Sequence, residues 1–453
     1  MDGDKGVIVS VSGVRGVVGQ GLTPELVAAF ASAFGAYVQG GRVVVSRDSR
    51  PSGQVLRHAV LSGLLAAGCA VEDIGIAATP TCGLAIRQTQ AKGGIQITAS
   101  HNPAPWNGLK LFGPEGSVLT ASAGQCVRQL FEQGDFRRAA WNELGSWSEC
   151  SQATEWHCQR VLELIDGQRI RAARLRTFLD ANGGAGGPLG RRLLEELHTQ
   201  PVCVGCQADG QFAHEPEPTA ANVAGIAPRV AAAGADVGFV LDPDADRLAL
   251  IDETGRYIGE EWTLALAVYF RLRQQRGPVV INMSTSRLVE DIAQRQDCPC
   301  HRAAVGEANV VEKMRQVHAV IGGEGNGGVI DPRVGGVRDP FIGMGLILNL
   351  LAETGRKLSE LVAELPAYTI VKDKYALAGV GLAALLTALE QRWPDARGNR
   401  LDGLRLDWPE RWLHVRGSNT EPILRVIAEA PSAAAAEQLC QEVERIIRAQ
   451  TSA

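Results

Sequence analysis

No apolar run in this chain approaches the roughly 20 residues that a membrane-crossing helix needs, so no membrane partner is expected. The start, MDGDKGVIVSVSG, carries acids where a secretory leader would be basic, which predicts a cytoplasmic protein. Basic clusters are also missing. Lysines and arginines are scattered and the formal net charge is -5, so nothing offers a nucleic-acid surface, although small anions could be bound locally. Cysteine is sparse for a disulfide scaffold at ten residues. Cys203 and Cys206 have metal-ligand or redox spacing and Cys298 and Cys300 form a second close pair. Neither has the partner C-x-x-C of a zinc site, and reduced, partly buried thiols are expected. The G-x-S-x-G nucleophile elbow is absent around Ser100.

What is present is a repeating α/β pattern too long for one core at 453 residues. RVVVSRD (42–48), LRTFLDANGG (175–184) and GPVVINMS (277–284) each pair an apolar β-rich run with a polar turn, an amphipathic helix and another apolar run. Three similar mixed α/β domains in tandem follow from this. Beyond Pro366 the pattern changes to a helix over 376–393, short strands and a closing helix over 433–450, a smaller α+β domain. Boundaries near 145, 250 and 367 divide the chain into 1–145, 146–250, 251–367 and 368–453.

Four loops carry chemistry. In FVLDPDADRLALID, Asp242, Asp244 and Asp246 crowd one turn between apolar runs, and three carboxylates so close repel unless a hard cation such as Mg²⁺ sits among them. An EF-hand loop fits the acid spacing but not Arg247 at its required glycine, and Arg247 suits a nearby phosphate. VIGGEGNGGVIDP matches G-x-G-x-x-G, yet an extended run follows where a helix should start. The loop then presents Glu324 and Asn326 to hydroxyl groups, or is only a glycine-rich connector. In HVRGSNTEPILRV, Arg416, Ser418, Asn419 and Thr420, with Arg425 just beyond, form an anion nest or an ordinary polar turn. In TASHNPAPWNGLK, Ser100 lacks a hydrolase's partners but suits a phosphate carrier, with Lys110 as proton acceptor.

These four loops, in this order and over nearly the whole length, resemble those of the α-D-phosphohexomutase superfamily, whose members include phosphoglucomutase, phosphomannomutase and phosphoglucosamine mutase. The near-start SGVRG resembles the family's pattern too. The resemblance implies a heart-shaped, four-domain α/β protein around one cleft. In it Ser100 is phosphorylated, Mg²⁺ binds Ser100's phosphate with Asp242, Asp244 and Asp246, and Arg15 and Arg247 hold phosphate oxygens. Lys110 and His101 handle protons, while Glu324, Asn326, Arg416, Ser418, Asn419, Thr420 and Arg425 contact substrate. It further implies hexose phosphate substrates, a hexose 1,6-bisphosphate activator, and a monomer or homodimer. Relatives often place a serine and a histidine where this chain has Asn326 and Gly328, and a tyrosine at Trp106. The variant loop looks most like divergent phosphoglucosamine mutases, with a dual phosphomannomutase/phosphoglucomutase as the alternative. A metal-dependent sugar phosphatase and a silent sugar-phosphate sensor are the readings from other classes. The first places its D-x-D early in its domain, and the second needs no intact serine, lysine and aspartates together.

Overall fold

The β-branched run RVVVSRD becomes the strand Val43–Arg47 inside a seven-stranded sheet. Val71–Ile76 and Gly93–Ile97 flank it in parallel, as strands do when helices cover both faces. The computed structural model describes residues 6–11, 13–134, 136, 138–376, 381–417 and 423–451. The helix expected over 55–68 runs Gly53–Ala66 and packs on Pro24–Tyr37, whose start is fixed by Thr23 accepting from Leu26 N–H and by proline at its first position. Trp147–Glu149 lies past the boundary drawn near 145 yet pairs with Val71–Ile76.

Two four-stranded sheets follow. One has the order Leu248–Asp252, Val237–Leu241, Thr177–Asp180, Pro201–Val204, the other Cys300–Ala303, Val279–Asn282, Ile321–Glu324, Gly328–Ile330. A five-stranded sheet from the last unit, Thr369–Ala376, Ile423–Ala430, Trp412–Gly417, Leu404–Asp407, Arg397–Asn399, is antiparallel throughout. The helix read over 376–393 starts only at Leu382. Ala376 ends a strand, Gly381 sits at the helix boundary where glycine disfavours an earlier start, and 377–380 lie outside the described residues.

One device recurs in all four units. Gly93–Ile97, Val237–Leu241, Ile321–Glu324 and Trp412–Gly417 are each followed by an antiparallel partner, and the connection between the two carries one of the chemistry-bearing loops. In the first three units the alternation of apolar strands with a polar turn therefore also sets where each loop emerges.

The cores do not divide as the units do. The first and last units have their own, but Phe239, Leu250, Leu264, Ile281 and Phe341 belong to one continuous core shared by the middle two. The cause is the helix Pro340–Thr354, whose FIGMGLILNLL is buried around its whole circumference and so has two faces to cover. Each wholly buried phenylalanine there contributes about 2–3 kcal/mol of transfer free energy.

Polar ties join the units. Thr81 in the helix Thr79–Gln88, His157 in Ala153–Leu162 and Asp339 at the cap of Pro340–Thr354 form a chain: His157 Nδ1 lies 2.8 Å from Thr81 Oγ1, and its Nε2 lies 2.8 Å from Asp339 Oδ2. The set looks like a hydrolase triad, but His157 is fully buried and Thr81 nearly so. It is structural. On the far side, buried Arg405 donates to Met283 O and stacks 4.1 Å from the Trp412 ring centroid, and Arg287 N–H donates to Glu429. His157→Leu leaves Asp339 Oδ2 and Thr81 without their partner and should cost about 1–3 kcal/mol. Urea denaturation of the variant checks this, and an unshifted curve would remove the tie from the account of how the units are held.

Candidate active site

Ser100 sits at φ +53°, in the left-handed region that costs a serine about 1 kcal/mol unless its surroundings hold it. Thr98 Oγ1 accepts from Ser100 N–H at 2.8 Å and donates to Asp48 Oδ2 at 2.7 Å. Arg50 does most of the holding. Fully buried, it donates to four carbonyls of the loop: Nη2 to Ser100 O (2.7 Å) and Asn102 O (2.6 Å), Nη1 to Pro103 O (2.7 Å) and Trp106 O (3.1 Å). Asp48 Oδ2 accepts from its Nε at 3.0 Å, and the guanidinium lies over Phe212, 5.1 Å from the ring centroid. In sequence Arg50 falls in the polar turn after RVVVSRD, where nothing singles it out. Ser100 Oγ itself faces His101 Nδ1 at 3.3 Å. Burial, and then Arg247 and Arg15, push the His101 imidazole down to about 2.

The aspartate turn is built between Val237–Leu241 and Leu248–Asp252, with Ala245 at φ +50°, and these strand flanks rule out the helix-flanked EF-hand. All three acids are fully buried. Asp242 Oδ1 accepts from the backbone N–H of Asp246 (3.0 Å) and Arg247 (3.1 Å). Asp244 Oδ2 accepts from Thr79 Oγ1 (2.6 Å) and Lys110 Nζ (3.2 Å). Asp246 Oδ2 accepts from Lys110 Nζ (2.7 Å) and Arg338 Nη2 (2.5 Å). One oxygen on each acid is left buried with no hydrogen bond: Asp242 Oδ2, Asp244 Oδ1 and Asp246 Oδ1.

Among the described residues this is the one group of metal-capable side chains whose ligand atoms converge, within 4.8 Å of one another. Three unpaired anionic oxygens in a buried turn are costly, and a hard divalent cation satisfies them. The residues fit a metal. Burial, then Asp244 and Asp246, drive the Asp242 carboxyl well above its ordinary range. For Asp246 burial works the same way, but Arg338, Lys110 and Arg247 outweigh it and hold the group low. Burial lowers the Lys110 ammonium, yet Asp244 and Asp246 win and keep it above its ordinary value. The acceptor role expected for Lys110 needs a free amine, and these two carboxylates work against it.

Arg15 arrives on Gly13–Val17, which pairs with Trp106–Phe112 so that Arg15 is opposite Gly108 and Gly13 opposite Lys110. Arg247 Nη1 donates to Glu217 Oε1 at 3.1 Å, and His101 Nε2 lies 3.8 Å from the same oxygen. Glu217, inside a polar connector in sequence, gave no signal.

The glycine-rich loop is a tight hairpin with no helix after it, so the G-x-G-x-x-G match is not a dinucleotide site. Gly327 at φ +82° lets it press on the aspartate turn: a Cβ there would lie 2.3 Å from Leu248 O, and Leu248 N–H donates to Gly327 O at 3.1 Å. Glu324 is held by the protein on both oxygens, by Arg338 Nη1 (2.8 Å), Asn282 Nδ2 (2.8 Å) and Gly306 N–H (3.1 Å). Asn326 Oδ1 is buried without a partner. Arg338 thus ties the glycine loop to the aspartate turn, with Glu307 Oε2 3.7 Å from its Nε. Neither Arg338 nor Glu307 stood out in the sequence.

A cleft of about 640 Å³ is lined by Arg15, His101, Arg247, Glu324 and Asn326 from three units and by Lys372, Lys374, Arg416 and Arg425 from the fourth. Lys374, Arg425 and Arg416 are direct cross-strand neighbours on three adjacent strands. Such a row of like charges repels itself and suits an anion lying across it. Lys372 and Lys374 were missed, though their alternation in TIVKDKYA was the signal. Ser418, Asn419 and Thr420 lie outside the described residues. All ten cysteines are free, and among the described residues no helix is long and apolar enough to cross a membrane.

Profiles of the phosphoglucomutase/phosphomannomutase family match in chain order: α/β/α domain I at residues 7–138, domain II at 155–255, domain III at 259–368 and the C-terminal domain at 385–446. A phosphoglucomutase/phosphomannomutase of Thermococcus kodakarensis is 38% identical, covering 94% of this chain and 95% of its own. A probable phosphoglucosamine mutase of Methanopyrus kandleri is 34% identical over 98% of each. The crystal structure of a phosphoglucomutase/phosphomannomutase family protein from Burkholderia thailandensis superposes with a TM-score of 0.86 at 26% identity, covering 98% of this chain and 97% of that one. With all four domains matched in order over nearly its whole length, the chain belongs to the phosphoglucomutase/phosphomannomutase family of α-D-phosphohexomutases, enzymes of the isomerase class.

Proposed function

We propose that this phosphohexomutase interconverts glucosamine 6-phosphate and glucosamine 1-phosphate through a phosphoserine at Ser100 and a bound 1,6-bisphosphate. The observation that carries this is a pair of charge features: three buried aspartate oxygens without hydrogen bonds, beside the Arg247 that lines the cleft, and the cation row Lys374–Arg425–Arg416 that lines the same cleft. A substrate with phosphates at both ends answers both. Asp242 Oδ2, Asp244 Oδ1 and Asp246 Oδ1 would hold Mg²⁺ together with a phosphate oxygen on Ser100, and the ion would neutralise charge on the transferring group.

The chain's own residues do the rest. Three carboxylates and a phosphoserine dianion sum to about -5, and Arg15, Lys110, Arg247 and Arg338 supply the cations that make such a site tolerable. In transfer the bond from Ser100 Oγ to phosphorus breaks while a sugar hydroxyl oxygen bonds to phosphorus, and the hydroxyl proton must leave. His101, neutral and 3.3 Å from Ser100 Oγ, is placed to take it, and a dianion on the neighbouring serine raises its proton affinity. Lys110, charged, steadies phosphoryl oxygens. The bisphosphate then turns end for end, and its other phosphate goes to Ser100. Arg416, Arg425 and Lys374, with Ser418, Asn419 and Thr420 from the sequence reading, hold whichever phosphate is not reacting.

The phosphoglucosamine mutase relatives support the amino sugar. Glucose and mannose phosphates are the second reading, favoured by the 38% identity to a phosphoglucomutase/phosphomannomutase. Assaying all three hexose phosphates with a 1,6-bisphosphate activator decides between them, and inorganic phosphate release instead of isomerisation would point to a phosphatase.

Two substitutions test the chemistry. Ser100→Ala should abolish turnover, about 10³-fold or more, while sugar phosphate binding by calorimetry persists. Mass spectrometry of the wild type after incubation with the bisphosphate should place one phosphate on the peptide spanning Ser100, and full activity in the variant would overturn the carrier assignment. Saturating Mg²⁺ should stabilise the wild type by about 2.7 kcal/mol at a hundredfold excess over Kd. Asp242→Asn should lose most of that shift in thermal denaturation, whereas an undiminished shift would move the metal elsewhere.

A further inference from the structure

Gly325 has no side chain, and the space where one would begin is filled by another residue's carboxylate. A Cβ built on Gly325 would lie 2.1 Å from each carboxylate oxygen of Glu261. Glu261 is the second residue of the helix Glu260–Gln274, and its Oε2 accepts from Ser286 N–H at 3.0 Å. Among the described residues no hydrogen bond reaches Oε1. The side chain lines the cleft beside Asn282, Asn326 and Lys372, and it also borders a side cavity of about 210 Å³ that contains Trp262 and Tyr368.

An acid in the first turn of a helix is ordinarily explained by the helix dipole. Glu260 already meets that need, and the dipole does not account for an empty position at 325 occupied by a carboxylate. The location does. On the mutase reading the phosphates go to the aspartate turn and the cation row, which leaves Asn326 and Glu261, lining the same cleft as that row, for the sugar ring. Glu324, the acid of the loop itself, is held on both oxygens by Arg338, Asn282 and Gly306, whereas Glu261 keeps one oxygen open.

We infer that Glu261, admitted to the ring site by the missing side chain at Gly325, is a specificity-determining residue that selects a hexose phosphate bearing an amine over one bearing a hydroxyl at the same ring position. This rests on the mutase reading above. Burial raises the Glu261 carboxyl to about 8 against the opposing pull of Lys372, and an ammonium on the sugar adds a second cation that draws the group to its charged form and a charge-assisted bond that a hydroxyl does not supply. Asn326 Oδ1, buried and unpartnered, is a second acceptor for the same face of the sugar.

The test is the ratio of kcat/KM for glucosamine phosphate to that for glucose phosphate, with bisphosphate activator, in the full-length wild type, in Glu261→Gln and in Gly325→Ala. The first variant removes the charge in the same shape. The second keeps the charge but displaces it. Each should lower the ratio by about tenfold to a hundredfold, the worth of a hydrogen bond to a charged group. A ratio unchanged in either active variant, or a wild type that prefers glucose phosphate, overturns the selectivity role while leaving the mutase reading intact. A wild type that isomerises neither sugar phosphate overturns both.

Discussion

Three carboxylates buried within 4.8 Å of one another cannot stand without cations, and in this enzyme those cations come from different units. Lys110 reaches in from the first, Arg247 belongs to the second and Arg338 comes from the third. The electrostatic cost of the aspartate turn is therefore offset only when the units are together. Arg338 carries this furthest, because one guanidinium serves Asp246 of one loop and Glu324 of another. Placement of the glycine-rich loop thus depends on the charge state of the aspartate turn, although the two loops lie far apart in the chain.

Around this centre the fold is economical. Each loop connects a strand to its antiparallel partner, and in the first three units that backbone pairing fixes where the loop begins and ends. Where a loop must take an unfavourable shape, other parts of its unit impose it. The left-handed Ser100 is kept so by Arg50 and Thr98, which touch backbone and leave the hydroxyl free.

Much of this was legible from sequence because it depends on local pattern. Apolar runs flanking DPDAD and GEGNGG read as extended segments, and the closing α+β unit was visible in its change of pattern beyond Pro366, although two of its strands run to eight residues. The aspartates' crowding pointed to a metal, and the structure brings their ligand atoms together. What was not legible depends on contacts over long sequence separations. Arg50, Glu217, Glu307, Arg338 and Glu261 sit in stretches that look like ordinary charged turns or helix starts. Their roles come from neighbours tens to hundreds of residues away: Arg50 lies 53 residues from Pro103. The shared core was hidden for a related reason. FIGMGLILNLL shows that a helix is buried on every side, but not that its two faces serve two different sheets.

The in-register cations on the last sheet make that surface a strut waiting for its load. Lys374, Arg425 and Arg416 stand side by side across adjacent strands with Asp402 Oδ2 3.4 Å from Arg416 Nε offsetting part of their repulsion, and on the proposed function a bridging dianion would draw those strands together. Occupancy and cohesion of that sheet therefore rise in step. On the proposed function, a bisphosphate held there and at the aspartate turn would, for the duration of its stay, be a structural member linking the last unit to the other three.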